Sequence, residues 1–583
     1  MGDEHSGCGR ATGPAAGAGL LRQACGTTVD ALNDACFCIS LDHRALDAAL
    51  ATELGDPRLA ALLRERCPHV FAEYPVFVAP AQLQRIEAVV RAVEQVVALP
   101  AWREQALAAA PAIARHDVRG VRGVFFGYDF HVEGDTLGLI EINTNAGGAM
   151  LNAVLARAQR VCCEGVAPLL PSREGVEGFE RAMLEMFRRE WRAAGQQAPL
   201  RRVAIVDEAP ERQYLYPEFL LFRHLLGGHG IETLIADPAD FTLHDGALFL
   251  GEQAIDLVYN RLTDFYLQGD ACRALREAYL SDAVVLTPHP QAHALYADKR
   301  RLADLSDPEV LARLGVAQET QAILLRDVPR TRLVRAEDAE RLWAERRGLF
   351  FKPVSGFGSR GAYRGDKLTR RVWQDILGGG YVAQALVAPG ERRTAAGRPM
   401  KYDLRAYVYD GRIQWLAARV YQGQTTNFRT EGGGFAPVFT LSEFGRGGTP
   451  EPGEYRSHTF LLDEAGQIHS LPHPLYVALV HAESALPALA GRRFRLADWY
   501  VRLRDGVAEQ LLNEWYGWVE IDADGRFRPV PAAGNGEAAG AVDASALPTA
   551  GEHARMAALV FGQGSGGVGA AGAREPHGEP RGV

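Results

Sequence analysis

A mixed α/β and α+β fold is predicted for this chain of 583 residues, from two patterns of strands. Between about 200 and 290, short apolar runs alternate with helical segments, the mark of a parallel sheet with crossover helices. Between about 349 and 421, strands follow one another through tight turns, as antiparallel strands do. A further strand pair, GVFFGYDFHV (123–132) and LGLIEINTN (137–145), is joined by a turn at Glu133–Gly134–Asp135.

The elements read in order as follows. Residues 1–26 are small and Gly/Ala-rich, which predicts disorder. Residues 27–170 form a helical segment plus the strand pair; LQRIEAVVRAVEQVVAL (83–99) has the apolar spacing of an amphipathic helix. Residues 171–295 form the α/β layer. RRVAIVDE (201–208) is a buried strand, EFLLFRHLLGGHG (218–230) a helix ending in glycines, and IETLIAD (231–237) the next strand. AIDLVYNRL (254–262), a helix at 271–280 and AVVLTP (283–288) complete it. Residues 296–530 hold the antiparallel strands LFFKPV (349–354), GYVAQALV (380–387), DLRAYVYDG (403–411) and RIQWLAARVY (412–421). Residues 531–583, with AAGNGEAAGAV and GQGSGGVGAAGA, read as a disordered tail.

Composition narrows the function. A net charge of −9 lacks the basic face of a nucleic-acid protein, so no nucleic acid is expected. No run of about 20 apolar residues exists, so no membrane span is expected, and the N-terminus lacks a signal's apolar region. The eight cysteines show neither zinc spacing nor a disulfide framework; a cytoplasmic protein with scattered thiols is expected.

Four segments carry chemistry. In KPVSGFGSRG (352–361), Lys352 ends a strand, and Ser355, Gly356, Gly358, Ser359 and Gly361 follow. Glycines let backbone N–H groups approach phosphate oxygens, and the lysine adds a point charge. The text also matches G-x-G-x-x-G, but AYRGDK reads as a returning strand. A dinucleotide fingerprint would lead into an apolar helix. A hairpin flap over nucleotide phosphates is therefore expected, and a dinucleotide-dependent oxidoreductase is the poorer reading. In IEINTNAGG (140–148), Glu141 and Asn143 share one face of a strand, and Asp129 on the preceding strand lies across the ladder. Hard oxygens on one face suit Mg²⁺; the alternative is a solvated polar face. In YDLRAYVYDG and its sequel, Asp403, Arg405, Arg419 and Arg429 could neutralise phosphoryl charge. Gly432, Gly433 and Gly434 could offer N–H groups to a carboxylate. Taken alone, each arginine is more often a surface ion-pair partner. In YVAQALVAPGE (381–391), Gln384, Ala385 and Leu386 lie on a strand end that could hold adenine between apolar walls.

Together these segments resemble the ATP-grasp superfamily. Lys352 and its glycine loop look like the second ATP lysine and flap, VAQALV like the adenine hinge, and DLRAYV with Asn427 like the D-x-R strand. IEINTNAGG looks like the metal-binding E-x-N strand. That strand precedes Lys352 by more than 200 residues. This is the circularly permuted order of eukaryotic-type glutathione synthetases and glutathionylspermidine synthetases. A basic residue before YDFH (Arg119 or Arg122) is similar as well. Lys299 in YADKRRLADL matches the first ATP lysine, and FRTEGGGFAP resembles the glycine-rich substrate loop with Arg429. The resemblance implies an ATP-grasp core, 171–295 as its α/β substrate-binding layer and 296–530 as its nucleotide-binding region. It also implies ATP and Mg²⁺ as cofactors, and ADP-forming ligation of a small-molecule or peptide carboxylate to an amine. One departure stands out. Those enzymes place an acidic metal ligand four residues after the second lysine, where this chain has Gly356; Asp129 is the expected substitute. The rival reading is a catalytically silent nucleotide-binding scaffold.

Overall fold

In the computed structural model, the described residues are 29–35, 39–41, 46–50, 57–161, 173–356, 361–440, 454–463, 468–473, 493–504, 507–521, 527–529, 552 and 555–556. The expectations of disorder for 1–26 and, almost entirely, for 531–583 fall outside them. Contacts divide the chain into two units: Val29–Cys162 with Arg173–Phe439, and Met1–Thr28 with Cys163–Ser172 and Thr440–Val583.

The larger unit is mixed α/β, as its strand patterns predict. Strand β1 (Val76–Val78) is followed by helix α1 (Pro80–Val97), which has Pro at its first helical position. The hairpin β2 (Phe126–Glu133) and β3 (Thr136–Asn143) comes next, then α2 (Ala149–Arg157) and α3 (Arg173–Ala193). The α/β layer runs β4 (Arg202–Val206), α4 (Tyr216–Gly227), β5 (Glu232–Ala236), β6 (Leu257–Asn260), α5 (Arg273–Leu280) and β7 (Val285–Thr287). Its sheet order is β7-β6-β4-β5, and all three pairings are parallel. A small antiparallel sheet built from residues 241–254, unforeseen in the sequence, interrupts this layer.

A π-helical turn, His293–Ala297, leads to Lys299 at the N-cap of α6 (Arg300–Leu305). Strands β8 (Thr331–Leu333), β9 (Leu349–Pro353), β10 (Tyr363–Arg364) and, after α7 (Arg370–Gly378), β11 (Tyr381–Ala385) form a sheet in the order β8-β11-β9-β10. Antiparallel pairing of β9 with β10 makes the segment after Lys352 a hairpin rather than a strand–turn–helix. That geometry removes the dinucleotide reading.

The last elements, β12 (Gly390–Arg393), β13 (Pro399–Tyr409), β14 (Arg412–Tyr421) and β15 (Gly434–Thr440), join the earlier hairpin in a seven-stranded sheet. Its order is β1-β15-β14-β13-β2-β3, with β12 also on β13. One face carries Tyr128, Phe130, Leu139, Leu404, Ala406 and Val420, packed with Ile86, Val89, Val93 and Val96 of α1. Apolar residues every second position on the strands meet the i, i+3, i+7 stripe of the helix. The other face carries the charged residues described below.

A bulge sets which side chains reach that face. Across β2 and β3, Val132 pairs with Leu137 and Phe130 with Leu139, but Asp129 pairs with Glu141, which leaves Ile140 as the extra residue. Strict alternation would put Leu137, Leu139 and Glu141 on one side. The bulge lets both leucines be buried beneath α1 while Glu141 and Asn143 face the opposite way.

The second unit contains a five-stranded antiparallel sheet. Its strands are β16 (Glu454–Asp463), β17 (Ile468–His473), β18 (Arg493–Arg504), β19 (Val507–Ile521) and β20 (Phe527–Pro529), in the order β17-β16-β18-β19-β20. Within it Arg495 is buried and ion-paired with Glu552.

Candidate active site

The charged face of the seven-stranded sheet holds two arginines and two aspartates. Arg405 Nε and Nη2 donate to the two carboxylate oxygens of Asp129 at 2.7 and 2.6 Å. Arg419 Nε and Nη2 donate to Asp403 at 2.7 and 2.9 Å, and Nη2 also lies 2.9 Å from Asp129. Register explains the meeting, since Arg405 pairs with Asp129 and Arg419 with Asp403 across adjacent strands. All four are buried. A buried charge is tolerated when it is paired and bidentate, so the set is held as a neutral unit. The Thr426 hydroxyl donates to Asp403 as well.

This arrangement gives Asp129 partners that its own strand does not announce. Its oxygens accept from Arg405 and from Asn143 Nδ2 at 3.1 Å, and they face Arg419. A carboxylate neutralised by two guanidinium groups has little left for a cation. Asp129 is a counter-ion for the arginines in this structure.

Beside this set, Glu141 and Asn143 stand together, with Asn143 Nδ2 donating to Glu141 Oε1 at 3.0 Å. Lys299 Nζ lies 4.0 Å from Glu141 Oε2. Burial pushes the Glu141 carboxyl up, but Lys299 and Lys352 outweigh it and hold the group below its ordinary value. Glu141 is therefore an ionised carboxylate next to two lysines.

Lys352, on β9, is buried and donates to the Ile140 carbonyl at 2.6 Å and to Gln384 Oε1 at 2.8 Å. The Ile140 carbonyl is available because it belongs to the bulge. Burial drives the Lys352 ammonium down to about 8, against the opposing pull of Glu141. Lys299 donates to the Gly356 carbonyl at 2.7 Å, which ties the first lysine to the start of the glycine segment. Ser355 is exposed, and Gly361 has φ +68, a left-handed backbone that suits glycine. Gly358 and Ser359 lie outside the described residues.

The expected adenine contacts are largely engaged elsewhere. Gln384 accepts from Lys352 and donates to Thr331 Oγ1 at 3.3 Å. The N–H groups of Ala385 and Leu386 donate to the Arg330 and Gly348 carbonyls, each at 2.8 Å. As donors to a base these three groups are taken. His131, two residues beyond Asp129, was not singled out in the sequence. Its Nδ1 lies 2.7 Å from the Val387 carbonyl, and its charged neighbours are Asp403, Lys352 and Arg419. Its place in YDFH, one strand period from Asp129, is the signal that could have found it.

The glycine-rich segment is built differently from the expectation. Gly433 N–H donates to the Thr430 carbonyl at 2.9 Å, and a side chain on Gly434 would meet the Val70 backbone at 2.5 Å. Turn closure and close backbone packing account for these two glycines. Arg429 is exposed, and its guanidinium has no partner among the described residues. Neither upstream basic residue joins the cluster. Arg119 pairs with Asp282, beside His116 and Tyr279 at a separate shallow cleft, and Arg122 pairs with Asp410.

No family model matches the chain, and no curated protein matches it. Solved structures do. The chain is similar to a glutathione synthetase-like effector from Globodera pallida, at 11% identity and TM-score 0.42, covering 64% of this chain and 90% of that one. It is similar to a putative γ-glutamylcysteine synthetase from Methylobacillus flagellatus KT, at 11% identity and TM-score 0.34, covering 60% and 84%. It is also similar to an ATP-grasp ligase complexed with a precursor peptide and AMPPNP, at 19% identity and TM-score 0.24, covering 39% and 74%. ATP-grasp ligases recur among these structures. Among the described residues no helix is long and apolar enough to cross a membrane.

Proposed function

We propose that the chain is an ATP-dependent ligase that joins a carboxylate to an amine through an acyl phosphate, releasing ADP and phosphate. The observation that carries this reading is the meeting of Lys299 and Lys352 around the ionised Glu141, next to the buried arginine–aspartate set. Two ammonium groups at one place suit a polyphosphate, and they share a single carboxylate, Glu141. The geometry asks for positioning and electrostatics, with no protein nucleophile.

Each residue then has a role. Lys352 and Lys299 bind the ATP phosphates. Arg405, fixed by Asp129, and Arg419, fixed by Asp403, offer guanidinium N–H groups to the transferred group as the substrate carboxylate attacks the γ-phosphate. The amine next attacks the acyl carbon, and phosphate leaves. Arg429, exposed and without a partner, is the candidate for binding a substrate carboxylate. The donor set fits Mg²⁺: an ionised carboxylate and an amide are hard oxygen donors, and Mg²⁺ needs only one or two protein ligands beside phosphates and water. Glu141 and Asn143 would hold it, and when bound it supplies neutralisation of phosphate charge.

Two features favour a silent ATP-binding scaffold instead: Gly356 where an acid would stand, and the commitment of Asp129 to the arginines. One assay separates the readings. ADP release from Mg·ATP is measured with pooled amino acids, short peptides and polyamines, with hydroxylamine to trap an acyl phosphate. Pool-dependent ADP and a hydroxamate, both lost in Lys352→Ala and Glu141→Ala, establish the ligase. ATP binding without turnover establishes the scaffold, and a chain that binds no nucleotide is neither.

A further inference from the structure

We infer that Arg346, Arg347, Arg370 and Arg371, gathered around Trp343, form a docking surface for an acidic polypeptide segment. The surface stands apart from the proposed nucleotide site and does not depend on it.

Charge is spread unevenly along the chain. Residues 328–388 carry twelve Lys and Arg against six Asp and Glu, in a chain that has 63 against 72. Several arginines of this region are neutralised. Arg330 pairs with Asp307 at 3.0 Å, Arg335 with Glu337 at 3.3 Å, Arg341 with Asp338 at 2.6 Å and Arg364 with Asp366 at 3.0 Å. Arg346, Arg347, Arg370 and Arg371 have no carboxylate in ion-pair contact among the described residues. Arg347, Arg370 and Arg371 are exposed.

Packing brings the four together. The guanidinium groups of Arg346 and Arg370 each lie 4.1 Å from the centre of the Trp343 ring. Arg346 also donates to the Trp343 carbonyl at 2.7 Å. A side chain at Gly365 would run into the Arg346 carbonyl, so the 346–348 turn lies directly on the turn that leads into α7. Arg370 and Arg371 open that helix, and no acid stands in its first turn. The macrodipole opposes positive charge at this end. Unpaired cations are therefore held where they repel one another and the helix, and a bound anion relieves both.

The surface does not belong to the phosphate site. Trp343 meets Trp373 with ring centres 5.7 Å apart, and Trp373 meets Phe351 at 5.5 Å. Phe351 and Lys352 are successive residues of β9, so their side chains point to opposite faces of the sheet. The arginines lie on the Phe351 side.

Carboxylates are the fitting partner. A guanidinium lying over an indole keeps its N–H edge for bidentate contact with a carboxylate. The Trp343 ring is covered by two arginines and offers bases no open stacking platform. The acidic remainder of the chain also repels a long polyanion. A short run of Asp or Glu matches the four cations.

Fluorescence anisotropy of a labelled hexaglutamate peptide with the full chain tests this. The wild type should bind it, more weakly as salt rises, and equally with and without Mg·ATP; hexaglutamine should not bind. Arg370→Gln combined with Arg371→Gln should weaken binding about tenfold, and Arg347→Gln, in the separate turn, about threefold, as expected for two and one exposed ion pairs. Arg341→Gln, whose side chain is already paired, should stay within about twofold. A wild type that does not bind hexaglutamate overturns the inference, as does equal binding by the double variant and Arg347→Gln. Displacement of the peptide by ATP overturns it too, because the peptide then occupies the phosphate site. Tighter binding of a deoxythymidine hexamer, which offers phosphates in place of carboxylates, overturns the choice of partner and the inference with it.

Discussion

Replacing Lys352 with Met removes a charge that the fold holds at a cost. The side chain is buried, and its ammonium falls from 10.5 to about 8, worth roughly 3 kcal/mol at about 1.36 kcal/mol per tenfold. A lysine depressed in this way is bound less tightly by protons in the folded state than in the unfolded one. Its penalty is therefore fully present below about pH 8 and fades as pH rises towards 10.5. Against this, Lys352→Met deprives the Ile140 carbonyl and Gln384 Oε1 of a donor, at about 1 kcal/mol each. At pH 7 the variant should thus be more stable than the wild type by roughly 1 kcal/mol. Above the unfolded value the order should reverse, because the neutral lysine keeps its hydrogen bonds. Urea denaturation of both proteins across this pH range reads the crossing. A variant less stable at pH 7, or a difference that ignores pH, would refute the claim that burial of charge dominates at this site. Nucleotide turnover by the same variant should fall at least about 10²-fold, the loss typical when a charge-stabilising donor is removed.

The other predictions follow from neighbouring contacts. In the wild type, turnover should decline as pH passes about 8, when Lys352 loses its proton; a rate that stays flat to pH 10 would exclude a role for its charge. Asp129→Asn leaves Arg405 and Arg419 short of a counter-charge, so thermal denaturation should show a loss of about 3–5 kcal/mol. Where that variant remains folded, the Mg²⁺ concentration for half-maximal turnover should match the wild type if Asp129 serves the arginines alone; Glu141→Gln should raise it about tenfold or more. Gly148→Ala places a methyl group against the Phe435 ring at φ +103, whereas Gly134→Ala meets nothing within 4 Å at φ +54. Melting should show the first as the more damaging by several fold, with the second near 1 kcal/mol.

Much of the architecture follows from local sequence. The alternation of apolar runs and helices across 201–288 determined the parallel layer, because strands buried on both faces need continuous apolar stretches and crossovers need length. The returning strand after Lys352 determined a hairpin, and the 3.6-residue stripe of 83–99 determined α1. The acidic, lysine-bearing and arginine-bearing segments were visible for the same reason: unusual residue types stand at fixed spacing. What each residue does was decided by partners far along the chain. Arg405 and Asp129 are 276 residues apart, and only the pairing of β13 with β2 makes Asp129 a counter-ion. Lys352 and the Ile140 carbonyl are 212 apart, and the carbonyl is available only because a bulge interrupts the ladder. A bulge is a long-range adjustment of register, which burial of Leu137 and Leu139 beneath α1 imposes. Local spacing can say which side chains share a face of one strand, but hydrogen bonds and ion pairs act at contact distance, and contact is a property of the assembled sheet.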